Sequence, residues 1–183
     1  MKDVLAGNLT GIDVMPLAVE LSKKTNPWCN FEKISALPPT HFADNSFDLV
    51  YLYSVFSHLS EEAHDRWLSE FRRIMKPGGI LIATTWPREY IERCERARSG
   101  GDKRGTHPGS LLAFKDTHAS LQQYDRGEYC HSPVGGGEAL SGSFYGETCI
   151  PAEYVKKHWT DRFNFLEFVS DERCPQNVIV AQK

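Results

Sequence analysis

From Phe47 to Tyr53 the chain is almost continuously apolar, interrupted only by Asp48. Such a run marks a strand buried on both faces, as in a parallel sheet. Ile80-Leu81-Ile82-Ala83-Thr84-Thr85 repeats it. Between the two runs the period becomes helical. Ala63, Trp67, Phe71, Ile74 and Met75 share one face, with Leu68 beside them. Ser60 stands at the N-cap position with Glu61 and Glu62 in the first turn, and Arg72, Arg73 and Lys76 occupy the last turns. Pro77-Gly78-Gly79 is expected to stop this helix. Upstream, Leu9 to Val14 reads as a short strand with Asp13 near its carboxyl end. Pro16, Leu17, Ala18 and Leu21, ending in Lys23-Lys24, read as the helix that follows. Phe31 to Ile34 is a second short strand, and Pro38-Pro39 ends that segment.

After Trp86 the pattern changes. Residues 88–98 predict a polar helix with Glu89→Arg93 and Glu92→Arg96 at ion-pair spacing. Residues 100–147 hold ten of the 14 glycines, together with Phe114, Tyr124, Tyr129, Phe144 and Tyr145. Glycine mixed with aromatics predicts a loop-rich lid insertion at about 88–147 that folds over a pocket. Within it, a helix is expected from Thr117 to Arg126 and a turn or hinge at Gly135-Gly136-Gly137. Pro151 opens a short helix through Trp159. Phe163 to Val169 and Asn177 to Ala181 are strands whose short connection requires antiparallel pairing. Alternating strands and helices predict one α/β domain over 1–183, with a mostly parallel sheet and helices on both faces.

Composition narrows the function classes. With 40% hydrophobic and 25% charged residues in 183, the chain can build a core and is not disordered. Its formal charge of -3 provides no basic excess for coating nucleic acid, so no nucleic-acid partner is expected. Five cysteines, with no C-x-x-C pair, argue for reduced thiols rather than a disulfide framework or a zinc site. His107, His118, His131, Cys130 and Cys149 match no metal-ligand spacing, so no metal is expected. No apolar run approaches the ~20 residues of a membrane span and no leader pattern opens the chain, so a cytoplasmic protein without a membrane partner is expected.

Leu9-Thr10-Gly11-Ile12-Asp13, Phe42 through Tyr51, Ser54-Val55-Phe56-Ser57-His58-Leu59, the segment Leu68 to Gly79 and the closing strand pair, in this order, resemble a class I S-adenosylmethionine-dependent methyltransferase. Phe144-Tyr145-Gly146-Glu147-Thr148, with Pro151 and Tyr154, resembles a bacterial branch of that family. The resemblance implies a Rossmann-like sheet, S-adenosylmethionine as cofactor and a small-molecule acceptor. It places Asp13 on the cofactor ribose, with Val14 beside it, and sets Ser35 and Ala36 where the family passes the adenine. Asn30 and Glu32 are alternatives to Ser35 for reading the adenine amino group. Ser54 and His58 would line the cofactor pocket, and His131, Tyr145 and Glu147 the acceptor pocket. Each has a plainer reading: Asp13 as an acid that holds a turn, His58 as a packed histidine, Tyr145 as a lid aromatic. No residue is assigned as the catalytic base. Asp48 sits at the wrong end of its strand for the ligand edge and is read as structural.

The glycine-rich first strand–loop–helix unit of the family is not found, since Gly7 and Gly11 do not form it. The chain is therefore expected to be N-terminally truncated relative to the family. It should carry an open sheet edge or a distorted pocket, with a homo-oligomer or a complementing chain as the partner. Two rival functions follow. One is a non-catalytic scaffold that keeps the fold. The other is a nicotinamide-dependent oxidoreductase, which the missing G-x-G-x-x-G and the antiparallel final pair oppose.

Overall fold

Pro16 has no N–H to leave unpaired and a backbone angle already suited to a helix, so it sets where the first helix starts. In the computed structural model, which describes residues 8–101, 108–136 and 140–183, that helix (α1) runs Pro16–Thr25 with Lys23 and Lys24 in its last turn. Gly7, His107 and Gly137 lie outside the described residues. The chain divides into two compact units, Met1–Thr40 and His41–Lys183.

In the first unit, strands β1 (Thr10–Asp13) and β2 (Asn30–Lys33) pair in parallel around α1. Their register runs from Thr10 opposite Asn30 to Asp13 opposite Lys33, so both strands end at one edge.

The second unit is built on a four-stranded sheet in the order β3-β4-β8-β7. Here β3 is Phe47–Leu52, β4 Met75–Thr85, β7 Asn164–Val169 and β8 Asn177–Gln182. β3 and β4 are parallel, and β8 is antiparallel to both β4 and β7. Parallel pairing is thus confined to β1–β2 and β3–β4 among the described strands. β3 is an edge strand in which Leu49, Tyr51 and Tyr53, just past its end, are more than half exposed.

Helix α2 (Glu61–Ile74) carries the expected cap, Ser60 Oγ accepting the Ala63 N–H, and buries Ala63, Trp67, Leu68, Phe71 and Ile74. Its end differs from the expected stop. Met75 is already extended, and β4 begins there. Phe47 pairs with Met75 but Leu49 with Ile80, so Lys76 to Gly79 form a bulge inside the strand. Gly78 has φ +80, and a Cβ on Gly79 would lie 2.9 Å from the Lys76 carbonyl oxygen. The glycines are required by the bulge. Lys76 Nζ reaches Asp48 Oδ2 at 2.9 Å, which gives Asp48 a structural partner at the amino end of β3.

Helix α3 (Arg88–Arg98) also departs from its expected polar character, because Tyr90, Ile91, Cys94 and Ala97 are buried. The first three join Ala113, Phe114, Cys130 and Cys149 in a second core. Each large apolar side chain buried this way contributes about 1.5–3 kcal/mol. Around this core lie a 3-10 turn (Pro108–Leu111), α4 (Thr117–Asp125) and the antiparallel pair β5 (Cys130–Pro133) and β6 (Gly146–Cys149). Helix α5 (Ala152–His158) precedes β7. No helix among the described residues is long and apolar enough to cross a membrane.

Candidate active site

Parallel strands place their carboxyl ends, and any residues just beyond them, at one edge of a sheet. In the second unit Ser54 follows β3 and adopts φ +57, a left-handed conformation uncommon for serine. Several contacts hold it there, Ser57 Oγ at 3.2 Å from its hydroxyl among them. The Ser54 N–H donates to Thr84 Oγ1 near the end of β4 (2.8 Å), and its hydroxyl accepts from Gln176 Nε2 (2.9 Å). Gln176 is itself fixed because Thr84 Oγ1 donates to its Oε1.

His58 lies one turn further on and is buried. Its Nε2 is 3.3 Å from Ser54 Oγ, and its Nδ1 is 2.8 Å from the Gly146 carbonyl oxygen and 3.6 Å from Glu147 Oε1. Glu147 is 1% exposed. Its other carboxylate oxygen accepts from Trp86 Nε1 and from the Tyr90 hydroxyl, both at 2.8 Å. Burial and the neighbouring Glu147 push the Tyr90 phenol well above its ordinary range, so it remains a donor. Tyr145 stacks on the His58 ring at 5.0 Å, and Trp86 meets that ring edge-on at 6.2 Å.

His131, on β5, is held to about 4 chiefly by burial, with His58 adding to the effect and Glu147 opposing it. Its Nδ1 lies 2.8 Å from Thr148 Oγ1, whose own hydrogen goes to the Leu59 carbonyl. Thr148 must then accept, so His131 is neutral with its hydrogen on Nδ1.

The structure therefore gathers Ser54, His58, His131, Tyr145 and Glu147 into one cluster. Among the described residues Ser57, Trp86, Tyr90, Thr84, Thr148 and Gln176 join it, none of them a site residue expected from sequence. Glu147, expected beside the acceptor, is held by its neighbours and faces the His58 ring. Tyr145 packs on His58 rather than on other lid aromatics alone.

In the first unit, Asp13 ends β1 and Val14 follows it, and Ser35 and Ala36 follow β2 at the same edge. The exposed Asp13 carboxylate accepts the Met15 N–H at 2.7 Å. This is the turn-holding role, and a carboxylate retains further acceptor sites for ribose hydroxyls. Asn30 starts β2 and Glu32 lies within it, so Ser35 alone of the three adenine candidates sits past the carboxyl end.

Among the described residues weighed as metal ligands, His131 belongs to the cluster above. Cys130 and Cys149 face each other across β5–β6 in the second core, and His118 contacts Gln122. No metal-holding group of three such side chains occurs among the described residues.

Residues 1–83 match the methyltransferase-domain family. The 2-methyl-6-phytyl-1,4-hydroquinone methyltransferase of Synechocystis sp. (strain ATCC 27184 / PCC 6803 / Kazusa) is 32% identical over 82 residues, which are 43% of this chain and 25% of that protein. The chain thus spans a quarter of the length of this curated relative. A SAM-dependent methyltransferase structure from Methanosarcina mazei superposes with TM-score 0.58 at 20% identity, covering 95% of this chain and 81% of the other. A protein from Pyrococcus horikoshii OT3 superposes with TM-score 0.62 at 15% identity, covering 98% and 73%. At these identities the superpositions establish the fold, the Rossmann-like α/β architecture.

Proposed function

We propose that the protein, whose residues 1–83 match the methyltransferase-domain family, transfers a methyl group from S-adenosylmethionine to a small-molecule acceptor. The observation that carries the proposal is the cluster at the carboxyl ends of β3 and β4. Ser54 and His58, from the family-matched segment 1–83, meet Tyr145 and Glu147, about ninety residues later.

The donor supplies a methyl group on a sulfonium, whose bond to sulfur breaks with both electrons remaining on sulfur. The chain's part is to bind, align and manage a proton. Asp13 fits the cofactor: its carboxylate is exposed at the carboxyl end of β1 and can accept from both hydroxyls of a ribose. Val14, Ser35 and Ala36 flank it at the same edge and would line the adenosine side. In the second unit, Tyr145 and His131 would border the acceptor, where the buried surroundings of Glu147 exclude water and strengthen each polar contact.

Calorimetric titration of the purified chain with S-adenosylmethionine and S-adenosylhomocysteine tests the proposal. Saturable binding of both is expected. A folded chain that binds neither overturns it and favours a non-catalytic relative.

A further inference from the structure

We infer that Gln176, in the connection between β7 and β8, is a positioning residue for the cofactor: its amide sets the loop after β3 against which S-adenosylmethionine binds. This rests on the methyl-transfer reading. Among the described residues, Asn45, Ser54 and Phe114 hold a left-handed backbone without being glycine. Asn45 precedes β3, and Phe114 belongs to the second core. Of the three, Ser54 stands past the carboxyl end of a parallel strand, the edge at which open α/β sheets take nucleotide-type ligands. A residue with a side chain stays in that conformation only where its surroundings impose it.

The groups that impose it form a closed ring. The Ser54 N–H donates to Thr84 Oγ1 (2.8 Å), the Thr84 hydroxyl donates to Gln176 Oε1, and Gln176 Nε2 donates back to Ser54 Oγ (2.9 Å). The same nitrogen reaches Ser57 Oγ at 3.4 Å, and the two serine hydroxyls lie 3.2 Å apart. Ser57, Thr84 and Gln176 are all buried. Buried polar groups weaken a fold unless they satisfy one another, as these do. An apolar side chain at position 176 would fill the same space but could fix neither serine. An amide can, because one end accepts and the other donates. β4 holds its oxygen through Thr84, and its nitrogen then holds two positions of the loop.

The consequence for binding follows from populations. A ligand that takes one conformer is weakened by the factor by which that conformer's population falls. Without the amide, Thr84 Oγ1 is free to turn and Ser54 can relax toward an ordinary negative φ, which redirects the residues after it. The loop then presents its binding conformation only part of the time.

Calorimetry with S-adenosylhomocysteine and amide hydrogen exchange by NMR, both on the full chain, test this. Gln176→Leu removes both ends of the amide. It should weaken S-adenosylhomocysteine binding about tenfold and speed exchange of the Ser54 amide by about the same factor. Gln176→Glu keeps the shape. Its oxygens can accept from Thr84 and from the serine hydroxyls, which turn to donate, so most of the affinity should return. A residue that only stabilised the fold would lower the melting temperature and leave the affinity of the folded chain unchanged. Equal affinity of wild type and folded Gln176→Leu, or an equal loss in folded Gln176→Glu, overturns the inference. If neither variant folds, the wild type decides it: a protected Ser54 amide that S-adenosylhomocysteine protects further supports the inference, and exchange as fast as in an open loop overturns it. A wild type that binds no S-adenosylhomocysteine removes the methyl-transfer reading, and the exchange data then report separately whether Gln176 fixes the loop.

Discussion

His58 and Gly146, 88 residues apart, hold each other by two hydrogen bonds: the Gly146 N–H donates to the His58 carbonyl, and His58 Nδ1–H donates to the Gly146 carbonyl, both at 2.8 Å. The adjoining backbone extends the attachment, since Thr148 N–H donates to Ser57 O and Ser60 N–H to Phe144 O. The loop after β3 is thereby fastened to β6, and the ring cannot turn without breaking a bond to the backbone. Position 146 admits only glycine, because a Cβ there would overlap the Ser132 carbonyl oxygen and lie 2.9 Å from Pro133 Cα. Gly146→Ala is expected to cost about 3 kcal/mol or more, since the obstacle is backbone rather than a movable side chain. Urea denaturation measures this, and a variant as stable as the wild type would contradict the packing described.

Asp13 offers a cleaner separation of binding from folding. Asparagine keeps an oxygen that can accept the Met15 N–H but removes the charge. Asp13→Asn should leave stability within about 0.5 kcal/mol and weaken S-adenosylhomocysteine binding about tenfold, the size of one charge-assisted hydrogen bond. Calorimetry on both proteins gives the ratio. Equal affinities would assign Asp13 to the turn alone.

His64 should make the fold acid-sensitive. It is 1% exposed, ringed by Phe56, Tyr129, Tyr154 and Trp159, and neither ring nitrogen has a hydrogen-bond partner among the described residues. Burial, and then the positive charge of Arg162, push it down to about 3. The unfolded chain takes up a proton near pH 6.5, whereas the folded chain refuses it until about 3. Stability is therefore complete above the unfolded value and falls with pH between the two, by up to ~1.4 kcal/mol per unit. His131 adds a like loss from 6.5 to about 4. His64→Leu removes the first contribution and two unbonded polar atoms, so it should be neutral or stabilising at pH 7 and flatten the pH dependence. Denaturation at pH 7, 6 and 5 decides it, and parallel curves for variant and wild type would refute it.

Tyr90→Phe tests the support beneath Glu147. The phenol donates to Glu147 Oε2 and lies 2.7 Å from Ser110 Oγ, all three residues being buried. Removing a donor from a buried carboxylate should cost about 1–3 kcal/mol. In the Glu147→Gln background the same change should cost less, because the charge that needed the donor is gone. A double-mutant cycle with no coupling would argue against the contact.

Local features were legible in the sequence because their causes are local. The apolar run from Phe47, the Ser60 cap, Pro16 at a helix start and the short link before Asn177 each impose their structure through neighbouring atoms. The residue types of Ser54, His58, His131, Tyr145 and Glu147 likewise announced polar chemistry, and strand order put the first two at a carboxyl edge. Tertiary structure decided the rest. α3 carries enough charge to read as polar, yet Tyr90, Ile91 and Cys94 find a second core made by segments up to Cys149. The glycines after Lys76 form a bulge because β3 pairs on both sides of them. Trp86, Tyr90 and Gln176 join the site across 61, 57 and 122 residues, and nothing in their spacing marks them as partners. A hydrogen bond selects its partner by position in space. The orientation of the His58 ring, and with it which nitrogen holds the proton, was set only when β6 brought the Gly146 carbonyl alongside.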